Sequence, residues 1–150
     1  MHRGWSAKRR IVTGTLVAGT LDLAAAIALT LYFARRTVPE MLAKTVAAGP
    51  IPDARDWGSL GAALGIVVHY LLMAIMVWAY VTAIDRFPAL RRNWVTWGVI
   101  YGLGTYVVMN LIVLPLRFGT PLPPPPTAIF AQLFCHIFLV GLPIAWIARR

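Results

Sequence analysis

The chain has 150 residues, 59% of them hydrophobic and only 13% charged, with a mean hydropathy of +0.72. Soluble domains carry about 25% charged residues, so this composition excludes an ordinary soluble domain. The formal net charge of +9 gathers at the ends of apolar runs rather than in a stripe, which argues against nucleic acid and for a membrane protein.

Four charge-poor runs set the architecture, at about 11–34, 60–84, 94–116 and 127–148. Each supplies the roughly 20 apolar residues that a spanning helix needs. Unbroken runs of this length read as helices, not as barrel strands. The expected fold is all-α: one membrane domain over 1–150, an integral four-helix bundle with a short periplasmic interfacial helix at about 38–48.

The N-terminus is basic, with Arg3, Lys8, Arg9 and Arg10 ahead of the first run. A secretory signal peptide would share this start and the small residues Ala24–Ala26, but the apolar run continues to Ala34 and reads as a span. Asp22 is the only formal charge inside the four runs. A charge at mid-membrane costs about 2.5–3.5 kcal/mol on insertion scales and is kept where it faces protein, water or a partner. Thr15, Gly19, Asp22, Ala26 and Thr30 form one helical stripe.

After the first run, Thr37-Val38-Pro39-Glu40 has capping-box spacing with proline early in the helix. Val38, Met41, Leu42, Thr45 and Val46 then share a face until Gly49-Pro50 stops the helix. This segment is expected to lie on the periplasmic surface, either as a binding element or as a lid on the bundle. In the second run Gly61, Gly65, His69, Met73 or Met76, and Tyr80 share a face. The short link Asp85–Asn93 makes runs two and three an antiparallel hairpin. In the third, Gly98, Gly102, Tyr106 or Thr105, and Asn110 share a face. Pro121 and Pro123–Pro126 favour a stiff polyproline II link. In the fourth run Gln132 and His136 are spaced i, i+4. Cys135 is the single cysteine, which rules out an intrachain disulfide.

Lipid supplies no hydrophobic drive between helices, so close approach through small residues holds them together. Gly14, Gly19, Gly61, Gly65, Gly98 and Gly102 are therefore the candidate packing positions. Intramolecular packing is the first reading, and a homo-oligomer interface is the alternative. At a rise of 1.5 Å per residue, Asp22 lies about 18 Å from the outer end of its span, His69 and His136 about 14 Å, Tyr106 about 15 Å and Asn110 about 9 Å. Asp22, His69, Tyr106 and His136 thus share a layer, with Asn110 and Gln132 completing a candidate buried polar cluster. Three readings compete. The groups satisfy one another, with Asp22 paired to a histidine. Or they line a cavity that relays protons or holds a small polar solute. Or His69 and His136 ligate a haem.

Enzymatic activity is not expected. Cys135 and Ser59 have no base at motif spacing, and no glycine-rich phosphate loop or HExxH is present. No cofactor and no metal site is expected. Nine basic residues fall on the side of both termini and of the link between runs two and three; five, diluted by Glu40, Asp53 and Asp56, fall on the other. That bias predicts both termini in the cytoplasm of a bacterial inner membrane, with a basic rim suited to anionic lipids.

His69 in a span, Phe87-Pro88 in the turn, Trp97-Gly98 opening span three, Pro115-Leu116 closing it, Gly119-Thr120-Pro121, His136 and the terminal Arg149-Arg150 occur in an order that resembles the YagU-like family of small bacterial inner-membrane proteins. The resemblance covers about the second half of the chain. It implies a multi-span inner-membrane protein, leaves biochemical function open, and makes His69 and His136 family features while Asp22 departs from the pattern. The expected function is a scaffold or accessory subunit of a larger membrane assembly. The alternative is a small oligomeric channel or transporter for protons or a small polar solute.

Overall fold

The structure, a computed structural model, describes residues 4–33 and 36–150. The expected end of the first span at Ala34, together with Arg3 and Arg35, lies outside the described residues. Every regular element among them is helical. Four helices have membrane-spanning length and apolarity: α1 (Ala7–Phe33), α3 (Gly58–Arg86), α5 (Trp94–Phe118) and α6 (Pro126–Ala148). They coincide with the four apolar runs and extend a few residues past them, because helix geometry continues into the polar flanks. By length and composition these four helices suit a multi-pass helical membrane protein.

Local signals explain the boundaries. Ser6 Oγ accepts from Arg9 N at 3.3 Å and opens α1. Gly119, at φ 62°, ends α5 in the left-handed conformation that an L side chain resists. The Thr37–Glu40 capping box forms as expected: Thr37 N donates to Glu40 Oε2 at 2.9 Å, and Glu40 N to Thr37 Oγ1 at 3.4 Å. These bonds, with the Thr37 backbone first and Lys44 second, hold the Glu40 carboxyl down to about 2. The box starts α2 (Val38–Met41), which continues as a π-helical turn over Leu42–Ala47. Met41, Leu42, Ala43, Ala47 and Ala48 are buried, and the segment packs on α3. A Cβ at Gly65 would strike the Leu42 backbone, and one at Gly61 the Ala54 carbonyl oxygen. The Gly61-x-x-x-Gly65 motif therefore seats this lid and a following short turn, not another span. Arg117, at the end of α5, donates from Nε to Gly49 O at 2.7 Å and from Nη2 to Ala48 O at 2.9 Å, tying the lid down.

The spans do not pack as a closed square. Helix α1 lies against α3 and α6, and α5 packs on α6. Gly14 and Gly19 admit Val77 and Tyr70 of α3; Gly98 and Gly102 admit the Gly141 and His136 backbone of α6. The hairpin partners α3 and α5 are not among the closely packed pairs. A short helix, α4 (Pro88–Arg92), joins their ends, and Gly98 and Gly102 of α5 face α6 instead. The buried core, including Val77, Val81, Ile84, Val140 and Ile144, occupies the half of the bundle nearer the termini.

At that end Arg10, buried in α1, grips the Asp85 carboxylate with two bonds of 2.8 and 2.7 Å and donates to Ala148 O at 3.0 Å. Arg91 adds a third bond to Asp85 at 3.2 Å. One carboxylate thus joins the start of α1, the end of α3, α4 and the end of α6. The N-terminal region, the α3–α5 link and the C-terminus share one end of the bundle, as the charge pattern requires.

Candidate functional site: a polar cavity between the spans

The polar layer is assembled by all four spans. Asp22, His69, Asn110, Gln132 and His136 line one cavity of about 180 Å³, together with Met73, Met76, Met109 and Cys135 among others. Tyr106 does not line it. Its buried ring packs edge-on against His136, with centroids 6.0 Å apart. The place on the α5 stripe that Tyr106 shared with Thr105 goes to Thr105, which bonds His136 directly. Gly14, Gly19, Gly98 and Gly102 are packing positions between spans, and Gly61 and Gly65 seat the lid.

The two histidines have different chemistry. Thr105 Oγ1 donates its hydrogen to Gly102 O at 2.9 Å, so it must accept from His136 Nδ1, 3.1 Å away. Asn110 Nδ2 then donates to His136 Nε2 at 3.1 Å. Both ring nitrogens are used by a neutral imidazole with its proton on Nδ1. Every member of the set has a partner, and the set ties α5 to α6.

His69 is bonded on one side only. Its Nε2 lies 2.9 Å from Gly19 O. A carbonyl only accepts, so Nε2 carries a proton. Its Nδ1 faces Asp22 Oδ2 at 4.0 Å, too far for a direct hydrogen bond. If His69 is neutral, Nδ1 presents a lone pair to Asp22, and the carboxyl itself must bring a proton or take a donor from a guest. If Nδ1 is protonated, the two form an ion pair. The 4.0 Å separation leaves Nδ1 and Oδ2 facing each other with no direct bond between them. Asp22 keeps a quarter of its side chain accessible and His69 an eighth, so a guest in the cavity meets both.

Two further features were not visible in the residue pattern. Helix α5 widens to π geometry over Val107–Val113, and α6 over Cys135–Gly141. Asn110 and His136 lie in these two stretches. π turns are uncommon and occur frequently at functional sites; here they carry the Asn110–His136 bond. The second feature is the sulfur-bearing wall of Met73, Met76, Met109 and Cys135. No signal beyond helical periodicity would have grouped these four.

The histidine nitrogens do not suit a bis-histidine haem. His69 Nε2 is engaged by Gly19 O and His136 Nε2 by Asn110. Ligation would break both sets. Among the described residues no group of three or more His, Cys, Asp or Glu side chains is placed to hold a metal ion.

Searches against family models, curated proteins and solved structures return no match to this chain. The reading of the site therefore rests on its own residues.

Proposed function

We propose that the chain is a small, non-enzymatic channel or transporter subunit of a bacterial inner membrane, with both termini cytoplasmic, and that it passes protons or a small polar or cationic solute at Asp22 and His69. The observation that carries this reading is the 4.0 Å gap between His69 Nδ1 and Asp22 Oδ2 on a cavity of about 180 Å³. A cavity of about 150 Å³ takes a benzene-sized guest. A carboxyl group kept between the spans without direct hydrogen bonding is a costly arrangement that a guest or a transferred proton would repay. The basic residues at the end shared by both termini support the orientation. A single four-helix bundle is small for a continuous pathway, so the working unit is a homo-oligomer or a larger assembly.

A scaffold or accessory-subunit role is the second reading, and the saturated His136–Thr105–Asn110 set favours it. Proton flux into liposomes separates the two. Flux that requires the protein and falls at least tenfold in Asp22→Asn supports transport. No flux from the pure chain, with stable co-purification in a larger complex, supports the scaffold.

A further inference from the structure

Between α3 and α5 the bundle leaves a cleft of about 510 Å³ with an almost wholly apolar lining. Small residues open it: Ala79 and Ala83 on one wall, Gly104 on the other. A Cβ built on Gly104 would meet nothing within 4 Å. Tyr101 crosses the back of the cleft, its hydroxyl donating to Met76 O at 2.7 Å and its ring on Tyr80 at 4.8 Å. Along α5 the lining runs from Trp97 to Met109, about 18 Å at 1.5 Å per residue. That is a little over half of the roughly 30 Å hydrocarbon core, about the depth of one leaflet.

Basic residues follow the cleft at its terminal end. Leu90 lines the cleft, and Arg91 follows it. Arg91, Arg149 and Arg150 line a shallow depression beside Trp5. Arg149 stacks over Trp94 at 4.5 Å, one turn before Trp97. Two arginines therefore adjoin residues at the terminal end of this apolar groove, Arg91 through Leu90 and Arg149 through Trp94, while Arg150 lies over Trp5 and Trp146. The nearby carboxylate of Asp85 is already held by Arg10 and Arg91.

We propose that this cleft is a binding site for one anionic phospholipid of the leaflet on the side of the termini. An acyl chain lies between α3 and α5, and the phosphate sits on Arg91 and Arg149. The argument is charge complementarity joined to depth. Bulk lipid would fill the groove without selectivity, whereas juxtamembrane arginines favour an anionic headgroup. The cleft shares Met76 and Met109 with the Asp22 cavity, but its headgroup end lies at the termini and does not depend on the transport reading.

Native mass spectrometry of the full chain, titrated with phosphatidylglycerol or phosphatidylcholine, tests the site. One phosphatidylglycerol should be retained in preference to phosphatidylcholine. Arg91→Gln and Arg149→Gln should each weaken it about fivefold. Gly104→Leu, which fills open space, should abolish retention without changing thermal unfolding; Ala79→Leu on the opposite wall should do the same. Quenching of Trp97 fluorescence by brominated phosphatidylglycerol locates the chain. Equal retention of the two lipids, a phosphatidylglycerol adduct that persists in both filling variants, or a lipid-free dimer closed over the cleft would each overturn the proposal.

Discussion

His69 and His136 sit on the same cavity, yet the protein treats them oppositely. His136 is buried in a set in which each donor has an acceptor, and its protonation state is dictated by Thr105 and Asn110. His69 spends one nitrogen on a backbone carbonyl and presents the other to a carboxylate it does not reach. A polar group buried away from water is stable when fully bonded and reactive or receptive when it is not. Burial depth alone therefore does not separate the two histidines; the bonding state of each nitrogen does.

Substitutions should separate the two regions. The largest effect is expected at the saturated set. His136→Leu strands Thr105 and Asn110, and should destabilise the bundle by about 2–4 kcal/mol, read as thermal or denaturant unfolding in detergent. His69→Leu removes one bond to a carbonyl, and should cost only about 1 kcal/mol by the same measurement. Equal losses would erase the distinction. Asp22→Asn removes a costly charge, and should shift stability by less than about 1 kcal/mol in either direction while abolishing flux. A strong destabilisation would instead make Asp22–His69 a structural pair.

The smallest effect is expected outside the cavity, at the capping box. The Glu40 carboxyl is held at about 2, below its ordinary 4.5. Its contribution to the cap is therefore fully present above pH 4.5 and is lost as pH falls toward 2. Hydrogen exchange at the start of α2 should accelerate over that window in the parent and show no such step in Glu40→Gln. A cap insensitive to both acid and substitution would show that packing of the lid on α3 holds α2 alone.

How much of this was legible in the sequence can be judged residue by residue. The grouping of Asp22 with His69 followed from stripe and depth, because α1 and α3 are regular helices through that layer and periodicity holds. The choice between Thr105 and Tyr106 could not be made that way, because they stand at i+3 and i+4 from Gly102 and a 3.6-residue period puts either near its face; the π stretch from Val107 then shifts the register of Asn110. The pairing of Arg10 with Asp85 was hidden for a different reason. Charges at span ends report orientation, and nothing in their spacing says which helices meet there. The α3–α5 hairpin was expected from its short link, but a hairpin in sequence need not be a packed pair. α4 spaces the helices, and Gly98 and Gly102 of α5 close on α6.

The sequence by itself determined the number of spans, the end of the bundle that carries both termini, and the residues that cannot face lipid. Those follow from transfer costs, which each residue bears individually and which local composition records. Only the tertiary structure decided which histidine is saturated, which helices touch and where a cleft stays open. Those depend on the relative rotation and separation of helices whose association lipid does not drive, and which small residues and a few polar contacts fix.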